Sequence, residues 1–331
     1  MKYAFAEVPA LIRKLNGLPE DAPERQPLLA YICALFAEIP YHHIPKLEFD
    51  KKKRAKIMFS KAFRDLMAMD LVRRAYLEES LEQLYVEGEA EPPENGFIAQ
   101  TESVIAVGLV FDRTLFIGFR GTIPTSLYDW GVNLYSKKIT LNSLIKYWPP
   151  GFRRDREGLF HKGFVKETWR ICGEIDGILT NNDIRGIDYI YLTGHSLGGA
   201  IAACAQEFYR YVDTHVYTYG APRYCNAEAY KTSPYNHPFQ YRSSEDMVPT
   251  VPPLFLGYTD NPNEFGLDGN NFAPEDKQLA SGWSGWKRFF SRGCSTHFME
   301  NYREALGRTA NISNPDRPLL PYPKIERKHL K

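Results

Sequence analysis

The rhythm of apolar and polar positions changes near residue 90. Before it the spacing is helical. Leu28 to Ile39 is a compact apolar stretch, and beyond the basic cluster Lys51-Lys52-Lys53-Arg54 the residues Phe59, Phe63, Leu66, Val72, Tyr76, Leu77, Leu81 and Leu84 recur at helical intervals. The cluster itself reads as a solvated helix start. The segment 88–96, with Pro92 and Pro93, closes this block. From residue 97 onward the runs are short and β-rich. Ser103–Val110 and Thr114–Phe119 flank Asp112-Arg113 as the arms of a hairpin would, and further runs follow at Tyr189–Leu192, His215–Tyr219 and Phe239–Arg242. Helical patterns lie between these runs. Such alternation predicts an α/β fold: a mostly parallel central sheet flanked by helices, carrying an N-terminal helical extension. The expected division is a helical region over 1–95 and an α/β domain over 96–331. The stretch from about 258 to 294, rich in Asn, Gly, Asp and Pro, reads as a long excursion between two sheet elements.

Composition narrows the function classes. The chain has 331 residues, 44% of them hydrophobic and 24% charged, which suits one large globular domain with a modest addition. A net charge of +1 supplies no basic excess to neutralise phosphates, so a nucleic-acid partner is not expected. Five dispersed cysteines form no CxxC pair, which argues for free thiols and against a disulfide framework or a metal site. At the N-terminus Glu7, Pro9, Arg13 and Lys14 interrupt any apolar run, and no later window has the length of a membrane span. The expectation is a soluble protein, cytoplasmic as synthesised, with leaderless export left open.

The sharpest chemical signal is Tyr189-Ile190-Tyr191-Leu192-Thr193-Gly194-His195-Ser196-Leu197-Gly198-Gly199-Ala200. A β-run enters Gly-x-Ser-x-Gly and passes directly into a small-residue helix. On so sharp a strand-to-helix turn the serine is exposed in a strained conformation, and Gly194 and Gly198 let the neighbouring backbones approach. Ser196 is therefore the candidate nucleophile, with the helix N-terminus facing the developing oxyanion. His195 adjoins the serine on a turn where side chains diverge, so it reads as a packing or hydrogen-bonding residue below the turn.

In such a fold the acid and the base follow the nucleophile in that order. Of the eight histidines, His297 in Ser295-Thr296-His297-Phe298-Met299 is the one that comes late and precedes a helix-like segment, so it is the candidate general base. The acid should follow the strand Phe239–Arg242. Asp246 is preferred to Glu245 because the Pro-bounded Met247-Val248-Pro249 should turn its side chain inward. For the oxyanion hole, Leu197 offers the N–H after the nucleophile. Thr122, at the end of Phe119-Arg120-Gly121-Thr122, offers a second donor, although a plain β-turn explains that segment equally well.

Together these pieces resemble the class 3 lipases, the fungal-type triacylglycerol lipase family. The resemblance rests on FRGT (119–122), Asp129-Trp130, HKGF (161–164), TGHSLGGA (193–200), YGAPR (219–223), EDMVPTVPP (245–253) and STHF (295–298), and runs from about residue 97 to 306. It implies an α/β-hydrolase fold, no cofactor, Ser196, Asp246 and His297 as the triad, and Thr122 with Leu197 as the oxyanion hole. The chain departs from the family pattern in a longer stretch from Thr122 to His161, a bulky loop between Asp246 and His297, and residues 1–90.

Ile123, Leu127, Trp130 and Leu134 share one helical face opposite Thr125, Ser126, Asp129 and Asn133, as a mobile lid over a lipid-binding pocket would, or equally a fixed packed helix. Trp283, Trp286, Phe289 and Phe290, interleaved with Lys287, Arg288 and Arg292, suit either a membrane interface or the rim of the site. The expected activity is hydrolysis of lipid acyl esters, acylglycerol or phospholipid, with peripheral contact at a lipid interface. The rivals are acyl transfer and a non-catalytic ligand binder on the same fold.

Overall fold

The computed structural model describes residues 2–42, 70–86, 91–101, 103–121, 137–143, 157–181, 186–209, 212–272 and 295–321, with backbone alone at 70–76, 86 and 295. Among these residues the strands are β1 (Asn95–Gln100), β2 (Ile105–Phe111), β3 (Thr114–Arg120), β4 (Lys138–Ile139), β5 (Phe160–His161), β6 (Tyr189–His195), β7 (Asp213–Tyr219), β8 (Phe239–Tyr241) and β9 (Glu264–Phe265). The helices are α1 (Val8–Asn16), α2 (Arg25–Glu38), α3 (Asp70–Val86), α4 (Lys162–Asn181), α5 (Leu197–Ala205), α6 (Ala227–Lys231) and α7 (Met299–Thr309).

Seven strands make one sheet in the order β1-β2-β3-β6-β7-β8-β9. The first three form an antiparallel meander, and from β3 to β9 every pairing is parallel. The hairpin read at Asp112-Arg113 is present: Phe111 pairs with Thr114, and both turn residues adopt left-handed backbone (φ 47° and 59°), the geometry that matches strand twist in a two-residue turn. Four strands escaped the sequence reading: the edge strands β1 and β9 of the main sheet, and β4 and β5, which pair with each other. β1 begins at Asn95-Gly96, inside a segment whose prolines read as a breaker, and β9 is a two-residue edge within the Asn-rich excursion. β4, β5 and β9, at two residues each, are too short to show a period.

Alternation along the central strands sorts their side chains to two faces. From β6, Ile190 and Leu192 enter one core and Tyr191 the other; from β7, Val216 and Tyr217 part in the same way. Helices α4 and α5 cover the first face, contributing Phe164, Val165, Ile171, Ile175, Ile201 and Ala205. The second face is covered by α2, whose residues Leu28 to Ala37 are all buried. A helix apolar all round has no solvent face to offer and must be enclosed, here between the sheet and α7. Phe36 stacks on Phe116 of β3 at 4.6 Å, and a Cβ on Gly118 would lie 2.0 Å from the Phe36 carbonyl oxygen, so the strand needs glycine there. Polar ties reinforce the seam: Thr193 donates to the Cys33 carbonyl (3.0 Å), Tyr219 to the Ala30 carbonyl (2.6 Å), and Arg303 of α7 pairs with Glu38 of α2 (2.5 Å). The N-terminal helix α2 thus shares one hydrophobic core with the sheet.

Among the described residues no helix is long and apolar enough to cross a membrane.

Candidate active site

Ser196 lies between β6 and α5 with φ 56° and ψ −129°, a conformation sparsely populated by L-residues that costs on the order of 1–3 kcal/mol and persists only where the surroundings enforce it. The enforcement is visible. The Ser196 N–H donates to the Tyr219 carbonyl of β7 (3.0 Å), and its own carbonyl accepts from the Gly199 and Ala200 N–H groups at the start of α5. A Cβ at Gly194 would come within 2.4 Å of the Gly198 backbone, and one at Gly198 within 2.1 Å of the Phe119 carbonyl. The two glycines therefore let strand, turn and helix converge. Leu197 opens α5, where N–H groups lack in-helix acceptors. Gly121 packs against the Leu197 side chain.

Asp246 and His297 arrive from different elements. Asp246 lies past the carboxyl end of β8, and the Asp246 Oδ1 accepts from the Val248 N–H (2.9 Å), which fixes the carboxylate within its own turn. His297 closes a short 3-10 turn ahead of α7. The His297 Nδ1 meets Asp246 Oδ2 at 2.6 Å, with both side chains at 1% exposure or less. Glu245 is only half-buried, and its carbonyl accepts from the Thr296 hydroxyl (3.2 Å). The inward turn expected of Met247-Val248-Pro249 is seen: all three are buried.

A residue absent from the sequence reading completes this cluster. Tyr302, in the first turns of α7, donates its hydroxyl to the same Asp246 Oδ2 (2.5 Å) and accepts from the Ser243 N–H (3.2 Å). Burial, and next the Asp246 charge, push its phenol well above the ordinary range, so it remains a donor. The available signal was its place one turn into the helix that follows His297. The group adjoins the serine turn: a Cβ on Gly220, the residue after the Ser196 acceptor, would lie 2.6 Å from Asp246 Oδ2 and 3.1 Å from His297 Nδ1.

His195 points to the α2 side, as expected of a residue below the turn. Its ring lies 4.4 Å from the His297 ring, centroid to centroid, and its Nδ1 is 3.2 Å from the Tyr41 hydroxyl. Burial first, and then His297 beside it, hold its imidazolium well below the ordinary histidine range, so it stays neutral.

Other expected residues fall outside the described ones: Thr122; the lid positions Ile123, Leu127, Trp130 and Leu134; Trp283, Trp286, Phe289 and Phe290; Lys51–Arg54; the helical spacing between residues 51 and 69; and Cys294. Cys33, Cys172, Cys204 and Cys225 are buried and not joined in disulfides. Among the described residues no group of His, Cys, Asp and Glu is arranged to hold a metal ion.

Residues 116–256 match the family model of the class 3 lipases, a span that takes in FRGT, HKGF, the serine turn and EDMVPTVPP. The chain is 30% identical over 122 residues to the secreted mono- and diacylglycerol lipase 1 of Fusarium solani. That alignment covers 35% of this chain and 36% of the relative, so the chain spans little more than a third of that protein's length. Among solved structures, the Rhizomucor miehei triacylglyceride lipase is similar with 19% identity and a TM-score of 0.41, covering 66% of this chain and 82% of that one. The Lip2 lipase of Yarrowia lipolytica is similar with 19% identity and a TM-score of 0.47, covering 72% and 77%.

Proposed function

We propose that this chain, a relative of the class 3 lipases over residues 116–256, hydrolyses carboxylic esters of lipids through an acyl-enzyme on Ser196. The observation that carries the proposal is the buried His297–Asp246 pair at 2.6 Å, set beside Gly220, the residue after the Tyr219 whose carbonyl accepts the Ser196 N–H. In this reading the Ser196 Oγ attacks the acyl carbon while His297 Nε2 takes the hydroxyl proton, and His297 Nδ1–H donates to Asp246 throughout. The oxyanion is held by the Leu197 N–H together with Thr122, which follows the Gly121 that rests on Leu197. His297 then returns the proton to the leaving alcohol, and water releases the acid by the reverse sequence. Tyr302 orients Asp246 by giving its carboxylate a second donor.

Exposed apolar side chains that neighbour the triad residues in sequence favour a lipid substrate. Phe298, next to His297, is 43% exposed; Leu254 and Phe255, on the segment after Asp246, are 53% and 82% exposed. Large apolar side chains this open are costly in water, at about 25 cal/mol per Å² of apolar surface, and suit contact with acyl chains or a lipid interface. We place acylglycerols first and phospholipids second. The strained serine turn, taken together with the buried His297–Asp246 pair beside it, favours a nucleophile over a non-catalytic binder. The test is turnover of p-nitrophenyl esters, monoacyl-, diacyl- and triacylglycerols and phospholipids by wild type and Ser196→Ala. Ester turnover that disappears in Ser196→Ala supports the proposal. Equal turnover by both folded proteins, or none by wild type on any ester, rejects it.

A further inference from the structure

The short turn Ile39–Tyr41, which follows α2, lies outside the span that matches the class 3 lipases, yet it reaches the underside of the nucleophile turn. The Tyr41 hydroxyl is 3.2 Å from the His195 carbonyl and 3.2 Å from His195 Nδ1, and the two rings meet edge to face with centroids 5.6 Å apart. Burial pushes the Tyr41 phenol up, so its proton stays in place. Both contacts are met at once when the Tyr41 O–H donates to the His195 carbonyl and the His195 Nδ1–H donates back to the Tyr41 oxygen. Arg120 holds Tyr41 in turn. Its guanidinium lies over the Tyr41 ring at 5.6 Å, and its Nη1 donates to the Pro40 carbonyl (3.3 Å).

From this geometry we propose that Tyr41 is a positioning residue for the hydrolytic site, acting through His195 on both Ser196 and His297. The inference rests on the proposed ester hydrolysis and adds a part of the chain to it. Two consequences meet at His195. Its carbonyl belongs to the peptide that leads into Ser196, so the Tyr41 hydrogen bond restrains the backbone just before the strained φ. Its ring is one wall of the His297 imidazole, 4.4 Å away, so locking His195 also limits where the base can lie. A ring kept neutral beside His297 adds no charge against the imidazolium that forms there during turnover. The N-terminal region is on this account part of the machinery.

The test compares Tyr41→Phe with Tyr31→Phe. Both remove one phenolic oxygen from a ring of the N-terminal region, half-buried for Tyr41 and buried for Tyr31, but among the described residues the Tyr31 hydroxyl has no hydrogen-bond partner. Turnover of a dissolved short-chain ester and the rate at which a fluorophosphonate labels Ser196 are measured for both and for wild type, with thermal unfolding alongside. Tyr41→Phe should lower kcat about tenfold, the equivalent of one lost hydrogen bond of roughly 1.4 kcal/mol, with KM little changed and labelling slowed in parallel. Tyr31→Phe should match wild type. A Tyr41→Phe protein with wild-type kcat and labelling rate overturns the inference, as does an equal loss in both variants, which would mean only general loosening. If Tyr41→Phe does not fold, His195→Gln, which keeps a side-chain amide near Tyr41, is read in the same way: wild-type kcat overturns the inference. A wild-type protein that neither labels nor turns over esters is the separate failure of the proposed function.

Discussion

The two faces of the central sheet are closed by helices of opposite design. On one, α5 is rich in glycine and alanine, with Gly198, Gly199 and four alanines among its nine residues, small enough for the helix to rise directly out of the serine turn and lie against β3 and β7. On the other, α2 is bulky and apolar all round, and it is fastened by hydroxyls from the strands: Thr193 to Cys33, Tyr219 to Ala30. The small-residue face lets the nucleophile turn be sharp. The bulky face, with α7 stacked behind it, supplies the groups that surround the histidine, since Tyr302 comes from α7 and Tyr41 from the turn after α2. A sharp turn and a held base are separate physical problems, and the fold gives each its own face.

The largest effect should come from the acid on the base-holding side. Asp246→Asn should lower kcat on a short-chain ester by roughly ten-thousandfold, because an amide cannot stabilise the imidazolium and favours the wrong tautomer. Glu245→Gln should change it little, since the His297 ring meets Asp246. A larger loss in Glu245→Gln would reverse the assignment.

Next come the close approaches on each face. Gly118→Ala would place a Cβ against the Phe36 carbonyl of α2 and should cost about 1–3 kcal/mol of stability, read as a lowered midpoint in denaturant. Gly198→Ala would place one against the Phe119 carbonyl and should cost activity as well, because the serine turn itself must shift. If Gly118→Ala is as stable as wild type, α2 does not seat as closely as described, and the comparison between the faces fails.

Smaller again is Tyr302→Phe. It removes one of the donors to Asp246 Oδ2 and should lower kcat about tenfold with little change in KM. An unchanged kcat would leave Tyr302 a packing residue.

The smallest effect is on acid stability. His195 is neutral when buried and has a depressed folded pKa, so the unfolded chain binds the extra proton. Its contribution is therefore complete above the ordinary histidine value of about 6.5 and is lost as pH falls below it. Unfolding free energy measured across that range should fall toward acid in wild type and fall less steeply in His195→Gln. Equal slopes would mean that His195 takes up no more protons on unfolding than its replacement.

What the sequence disclosed follows the same division. The serine turn was legible because glycine and alanine spacing there is dictated by backbone contact, and Asp246 because a proline-bounded apolar run turns it inward. The compact apolar stretch Leu28–Ile39 was legible as a helix, whereas its seat on the sheet was not, since an all-round apolar helix carries no pattern that says which surface it covers. Tyr41 and Tyr302 were hidden for a related reason. Each works through a single hydroxyl whose partner is more than fifty residues away, and nothing local in Ile39-Pro40-Tyr41 or Asn301-Tyr302-Arg303 marks that oxygen as used. The edge strand β1 was missed because it begins in a turn-forming segment, and β9 because it has only two residues set among turn formers.

The central claim is that Ser196 is a nucleophile activated by the buried His297–Asp246 pair. The most direct measurement is covalent labelling by a fluorophosphonate followed by peptide mapping, on wild type, Ser196→Ala and His297→Gln. The account predicts one adduct, on Ser196, formed rapidly by wild type, absent in Ser196→Ala and slowed by orders of magnitude in His297→Gln. A folded wild-type protein that takes no label, labels at another residue, or labels as fast without His297 would contradict it.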